Sequence, residues 1–411
     1  MIKLLHFADA HIDMANYGRH DPETGLPMRV MDFLRSLDEI VETAVSEQVD
    51  LVIFAGDAYK DRSPAPTFQR EWDQRIMRLS AAGIMTILLT GNHDISPSIG
   101  RAHAIQEFET LQVPHVRVVN KPTLLLPEDL DDLPVQVFCV PWLSHVDYYD
   151  FNEAEGNTPN EINAFIQGNL KQSIAAISAK VDPALPLILT AHASVEGVEY
   201  GYERLVNISK DFVLDRGFVT NEIFDYTALG HIHKHQDLNE GQQPPAIYPG
   251  SIERVDFGEE KEKKFFIVAE IKKGHAEVDW RELKHIRPFI TREVTLKKPD
   301  DVNAQIKAAF PSPSMIKDAI LRIIIHYPEE FEALINDNEI RALGEPAFEF
   351  QLIKRPQRQS RARLPEGEMA TEKSMSELLE IYLKATDTEI TAEKIAGLQA
   401  LAKDIIEPAD D

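Results

Sequence analysis

One cysteine in 411 residues excludes an internal disulfide, so burial and hydrogen bonding must hold the fold. Long apolar runs are missing too. None approaches the ~18–20 residues of a membrane-spanning helix. The opening MIKLLHFADAHID is broken by Asp9 and His11 before it can act as a secretory leader. These absences predict a cytoplasmic chain that does not enter a membrane. Positive charge is scarce: 43 Lys and Arg face 68 Asp and Glu, for a net charge of −25. Such a surface repels nucleic acid over most of its area. A polyanionic substrate therefore needs a local basic patch, bound metals or a partner subunit. Internal repeats and low-complexity tracts are absent as well.

What is present is ordinary globular material, 43% hydrophobic and 27% charged, in a length that suits two or three domains. The first 270 or so residues alternate compact apolar runs with helix-like segments. LLHFAD, DLVIFAGD, MTILLTGNHD, VQVFCVPW, PLILTAH and YTALGHIH all end in polar residues. Between the early ones, Arg29 to Gln48 and Thr67 to Ala82 carry apolar residues at helical spacing, as in Val30, Phe33, Leu34, Leu37, Ile40, Val41 and Ala44. This alternation predicts an α/β fold of central sheets flanked by helices. Cys139, inside VQVFCVPW, reads as a buried strand residue. Ligands of such folds gather where strands end and loops begin.

Composition shifts after Trp280. Residues 281–355 read strand, helix, strand, helix, strand, a small separate α+β domain. Lys354, Arg355, Arg358, Arg361 and Arg363 then form a basic linker without an acid. The tail from Leu364 holds 12 acids against 4 lysines. Its helical candidates are Ser376–Ala385 and Thr391–Ile406, the second striped by Ile395, Leu398, Leu401, Ala402 and Ile405. The expected domains are thus 1–280, 281–355 and 356–411.

Five strand ends carry metal-type ligands: Asp9-Ala-His11, Gly56-Asp57, Gly91-Asn92-His93-Asp94, Ala191-His192 and Gly230-His231-Ile232-His233. Singly, a histidine after a strand is a hydrogen-bonded structural residue, and an Asp after Gly is a turn or cap. Capping alone would not select carboxylate, carboxamide and imidazole at strand after strand. Residues i and i+2 of an extended chain share a side, so Asp9 with His11, and His231 with His233, can each reach one ion. The mixed donor set suits Mn²⁺, Fe²⁺ or Zn²⁺. About seven ligands exceed what one ion with an open position needs. Two ions ~3.5–4 Å apart sharing a carboxylate account for them, and such a pair activates water against a phosphoester.

The ordered set D-x-H, G-D, G-N-H-D, H and G-H-x-H resembles the calcineurin-like metallophosphoesterase superfamily. The resemblance implies a layered metallophosphoesterase sandwich with a small α+β capping domain and a helical C-terminal tail. It implies that Asp9, His11 and His233 bind a first ion, that Asn92, His192 and His231 bind a second, and that Asp57 bridges. His93 becomes the catalytic, non-ligand histidine, oriented by Asp94. More finely, Tyr248-Pro-Gly-Ser-Ile-Glu-Arg254-Val-Asp-Phe-Gly258, the small following domain and the acidic tail resemble the nuclease-subunit family of SbcCD complexes. That family implies two divalent ions, expected as Mn²⁺, a DNA substrate and a homodimer. It also implies a coiled-coil ABC-type ATPase partner of SbcC type, gripped by the C-terminal helices. The second motif departs from the family's usual GD-x-x-D: GDAYKDR places Asp61 four residues after Asp57, which puts a role for Asp61 or Arg62 in doubt.

Arg62, Arg70, Arg101 and Arg254 lie in or near the site loops and are candidates to meet a DNA backbone. His235 reads as solvated and His103 as a packing or capping residue. The leading expectation is a metal-dependent DNA exo- and endonuclease subunit. Its alternatives are a small-substrate phosphodiesterase and a non-catalytic metal-binding scaffold for an ATPase. GNHD rather than GNHE speaks against protein phosphatases, and the extension after Trp280 against a small-substrate enzyme.

Overall fold

Short runs rich in Val, Ile, Leu and Phe become strands because branched and aromatic side chains suit a pleated surface covered on both faces. A computed structural model describes residues 1–17, 19–95, 102–143, 159–201, 213–357, 377–378 and 398. Its strands in chain order are β1 (Ile2–Phe7), β2 (Leu51–Phe54), β3 (Met85–Leu89), β4 (Val116–Val119), β5 (Thr123–Leu125) and β6 (Gln136–Val140). There follow β7 (Leu187–His192), β8 (Ser194–Val195), β9 (Val213–Leu214), β10 (Tyr226–Gly230), β11 (Gln236–Asp237) and β12 (Ala246–Tyr248). The last are β13 (Phe265–Lys272), β14 (His275–Glu282), β15 (Phe289–Thr295), β16 (Ile320–Pro328) and β17 (Glu349–Gln357).

Two six-stranded sheets, in the orders β14-β13-β1-β2-β3-β4 and β11-β12-β10-β7-β6-β5, make the larger unit. Their centres are parallel: β1 to β2, β2 to β3, β6 to β7 and β7 to β10. Parallel pairing brings successive strand ends out at one edge. Phe7 lies opposite Phe54, Phe54 opposite Leu88, and Gly230 opposite His192. Within each sheet, the motifs that follow these strands therefore emerge at one edge.

Alternation along the strands feeds separate cores. Leu4, Ile53, Ile87, Cys139, Ile188 and Tyr226 pack together between the sheets. Leu5, Phe7, Val52, Phe54 and Leu88 face the helices Met28–Ser46 and Pro66–Ala81. Phe138, Leu187, Leu189 and Leu229 pack with Ile166, Leu170 and Ile177 of the helix Pro159–Ser178. The result is a layered α/β fold of helix, sheet, sheet and helix. Cys139 is a free, buried cysteine of the central layer.

Chain contacts divide the molecule into Met1–Ile290 and Thr291–Asp411. The composition shift at Trp280 precedes this division because β14 pairs with β13 along its whole length, from His275 to Glu282. In the second unit, β16 runs parallel to β17 in a three-stranded sheet with β15, beside the helices Val302–Ala309 and Asp337–Gly344. No described helix is long and apolar enough to cross a membrane. The linker arginines Arg358, Arg361 and Arg363, and both tail-helix candidates apart from Glu377, Leu378 and Leu398, lie outside the described residues.

Candidate metal centre

Four of the seven expected ligands sit in backbone that L-residues avoid. Asp9, His11, Asp57 and His231 have φ of 52, 40, 64 and 102°, a region costing of order 1–3 kcal/mol when a non-glycine occupies it. Hydrogen bonds over-determine it. The Asp9 N–H donates to the Gly56 carbonyl at 2.9 Å and the Ala10 N–H to that of Asp57 at 2.8 Å. The His231 N–H reaches both Asp9 oxygens at 3.1 Å. The loops also touch so closely that two glycines are obligatory. A Cβ on Gly56 would enter the His192 ring, and one on Gly91 would enter the Asp57 carboxylate.

The side chains converge in two groups. Asp9, His11 and His233 offer ligand atoms within 4.8 Å of one another, as do Asp57, His192 and His231. In the first group, the Nε2 atoms of His11 and His233 lie 3.1 Å apart. Their Nδ1 atoms are occupied elsewhere, His11 at the Tyr59 carbonyl (3.3 Å) and His233 at Glu259 Oε1 (3.0 Å). In the second, His192 Nδ1 faces the Ala55 carbonyl at 2.7 Å, while its Nε2 lies 3.3 Å from Asp57 Oδ2. Asn92 Oδ1 joins this group, 3.1 Å from His192 Nε2 and 3.0 Å from His231 Nδ1. Outer partners that occupy one ring nitrogen and turn the other inward are the usual support of a metal-binding histidine. The donor set fits two divalent ions.

Residues 2–235, more than half of the chain, match the family model described as calcineurin-like phosphoesterase. The chain is a calcineurin-like phosphoesterase. The SbcD subunit of the SbcCD nuclease of Escherichia coli K12 is 25% identical over 320 residues, covering 74% of each chain. The DNA double-strand break repair protein Mre11 of Archaeoglobus fulgidus is 24% identical over 299 residues, 69% of this chain and 60% of its own. An uncharacterized metallophosphoesterase of Bacillus subtilis, YhaO, is 25% identical over 269 residues, 65% of this chain and 57% of its own.

Burial sets the electrostatics of this phosphoesterase site. It raises the pKa of Asp9 against the pull of His192 and His233. It works the same way on Asp57, yet His192 and His93 hold that carboxyl well below its usual range. His11 is lowered by burial and by His233. Burial also opposes charge on His192, but Asp57, by charge and hydrogen bond, and Asp9 raise it to about 9. In this carboxylate–imidazole array His192 is the group that holds a proton an ion would have to displace.

His93 lies beside the first group, its ring 5.4 Å from that of His11. The expectation that Asp94 orients it does not hold. The Asp94 carboxylate is consumed by the backbone N–H groups of Asp57 (2.8 Å), Ala58 (2.9 Å) and Gly91 (2.9 Å). It fastens the second motif to the third, and burial with the Asp57 charge raises its pKa to about 7. The His93 ring is held instead by the Lys60 carbonyl, 2.6 Å from Nδ1. Arg254 is likewise unsuited to DNA, because its guanidinium donates to the carbonyls of Glu259 (3.1 Å), Glu262 (2.7 Å) and Arg287 (3.0 Å). Arg62 is exposed and lines a cleft of about 810 Å³ shared with Lys60, Phe68 and His93. Arg70 is exposed and paired with Glu71. Arg101 lies outside the described residues. His235 is not solvated as expected: half-buried, its ring packs at a tilt against Phe265, with centroids 4.5 Å apart.

Sequence reasoning missed Glu259, Lys264 and Trp142. Glu259 backs His233 and pairs with the buried Lys264 at 2.7 Å. Lys264 also donates to Ser251 Oγ at 2.8 Å. The Trp142 ring lies 4.9 Å from that of His231. For Glu259, its place just after the YPGSIERVDFG stretch was the available signal.

Proposed function

We propose that this calcineurin-like phosphoesterase is a two-metal DNA phosphodiesterase, an exo- and endonuclease subunit of an SbcCD-like complex. The observation that carries the reading is the pair of ligand groups, built on Asp9, His11 and His233 and on Asp57, His192 and His231, with His93 alongside. A pair of ions there, which we take to be Mn²⁺, would draw charge from the phosphoryl oxygens and make water a competent nucleophile. In this reading Asp57, grouped with His192 and His231, bridges the two ions, and Asn92 helps to hold the second. His93 aids departure of the leaving oxygen by giving it a proton. The E. coli relative's name, a nuclease, and the Archaeoglobus relative's, a DNA double-strand break repair protein, together support DNA as the substrate class.

The net charge of −25 fits this reading if DNA is held jointly. A homodimer partner and an SbcC-like ATPase would add basic surface, with Arg62 and Arg101 contributing locally. In this reading 281–355 caps the phosphoesterase domain and 356–411 grips the ATPase.

The test is cleavage of an end-labelled duplex by the purified chain in EDTA or Mn²⁺, beside His93→Ala. Manganese-dependent cleavage, reduced by ~10²–10⁴ in the variant, is the expected result. Intact DNA alongside hydrolysis of a small diester would leave the two-metal site and remove the nuclease. Activity unchanged in His93→Ala would remove the proton donor.

A further inference from the structure

We propose that Asp13 is a positioning residue for His93, acting through the backbone of Lys60. The inference rests on the proton-donor role given to His93 above.

Asp13 follows the first motif and faces the loop after the second. Its Oδ1 accepts the Lys60 N–H at 2.5 Å and its Oδ2 accepts the Asp61 N–H at 2.9 Å. The carbonyl of that same Lys60 receives His93 Nδ1 at 2.6 Å. Lys60, Asp61, Arg62 and Ser63 are all exposed between the buried Tyr59 and Pro64, so packing anchors the ends of this stretch and not the residues between. A carboxylate with one oxygen on each of two consecutive N–H groups fixes these instead, since charged acceptors make the stronger hydrogen bonds. The fastening sets the direction of the Lys60 carbonyl, and the carbonyl sets the ring.

The consequence is chemical. With Nδ1–H committed to Lys60 O, the exchangeable proton of the His93 imidazolium is the one on Nε2. As a water oxygen, having lost a proton to solvent, forms its bond to phosphorus, the ester P–O bond breaks and its electron pair passes to the leaving oxygen. That oxygen takes the Nε2 proton, while Nδ1 keeps its own and the ring ends neutral. The cleft beside the ring, lined by Asp13, Lys60, Arg62, Phe68 and His93, is where the leaving group would stand. This chain has Lys60 where the GD-x-x-D spacing puts an acid. A backbone carbonyl, steadied by Asp13, orients the histidine.

The structural alternative is that Asp13 merely supports the ligands, since the neighbouring Tyr59 carbonyl holds His11. A leaving-group comparison separates the two without DNA. Asp13→Ala and Asp13→Asn are assayed in full-length chain on the p-nitrophenyl and phenyl esters of thymidine 5′-phosphate. The phenyl ester leaves as an oxygen about as basic as tyrosine's, ~10, and needs the proton more. For Asp13→Ala we expect kcat on the phenyl ester to fall roughly 10- to 100-fold and on the p-nitrophenyl ester by less than about threefold. KM and calorimetric Mn²⁺ affinity should stay constant. Asp13→Asn, which keeps one acceptor oxygen, should lie between. Added to His93→Ala, Asp13→Ala should cost nothing further. Equal losses on both esters, weakened Mn²⁺ binding, or additive losses in the double variant would overturn the assignment. A wild-type chain inactive on both esters would remove the diesterase reading as well.

Discussion

The two ligand groups use the same donors but are braced differently. In the group of Asp9, His11 and His233, the outer partner of His233 is a carboxylate, Glu259, itself paired with the buried Lys264. Burial works to raise the Glu259 pKa, but Lys264 and His233 hold it below the usual range. In the group of Asp57, His192 and His231, the outer partner of His192 is a neutral carbonyl, Ala55, at the end of β2. An anionic partner raises the basicity of an imidazole more than a carbonyl does. The first site should therefore hold its ion more tightly, through a residue reached only late in the chain. The second is assembled from strand ends alone.

Removing Asp57, which bridges the two ions in the proposed reading, should have the largest effect. Asp57 lies 3.3 Å from His192 Nε2, and its other oxygen accepts the His93 N–H at 2.8 Å. Asp57→Ala should abolish high-affinity binding at both sites and lower phosphodiesterase activity by on the order of 10³ or more. Calorimetric titration with Mn²⁺ and an ester assay check this. Retention of one tight ion would show that Asp57 belongs to a single site.

Removing what the groups do not share should separate them. Glu259→Gln should weaken one ion by roughly 10- to 100-fold and leave the other unchanged, giving a two-step Mn²⁺ titration where the wild type is closer to one. Glu259→Ala also takes from the Lys264 ammonium, which is 1% exposed, its nearer carboxylate and leaves it Glu262 at 3.3 Å and Ser251 Oγ at 2.8 Å. That should cost about 1–3 kcal/mol in urea unfolding, less for Glu259→Gln. Equal weakening of both ions would mean that the brace acts on the site as a whole.

The same contrast marks what could be read from sequence. The layered fold was legible because fully buried parallel strands leave unbroken runs such as LVIF and LILTAH, and the helix Met28–Ser46 keeps its apolar stripe. The candidate ligands were legible from their strand-end positions. Asp9 and His11 do fall in one group, but not as i and i+2 of an extended chain, since both have positive φ, and the same spacing misled for His231 and His233, which fall in different groups. The role of Asp94 was misread because adjacency to His93 suggests contact. A tight turn instead points successive side chains apart, and this one was taken by three amide donors. Arg254 was misread because charge is visible in a sequence, whereas the backbone carbonyls that consume it are not. Glu259 and Asp13 act through distance and direction, which only the fold supplies.

The smallest expected effect, and the finest test of the comparison, is the response to pH. His192 carries a proton up to about pH 9 in the metal-free chain, because Asp57 and Asp9 outweigh its burial. An ion needs the Nε2 lone pair, so binding at the second site must expel that proton. The sign follows: below about pH 9 acid competes with the ion, and affinity at this site rises with pH until His192 is neutral. His11, in the first group, is lowered well below its ordinary value by burial and by His233, so it gives up no proton to an ion near neutrality. Between about pH 7 and about pH 8 the second-site affinity for Mn²⁺ should therefore rise roughly tenfold, one proton per ion. At the first site the proton to be displaced is that of Asp9, whose carboxyl burial raises, and the change should be smaller. Calorimetry in buffers of different ionisation enthalpy counts the protons directly. Equal release at both sites would mean that the carbonyl and carboxylate braces leave their histidines alike, and that the two groups differ in position only.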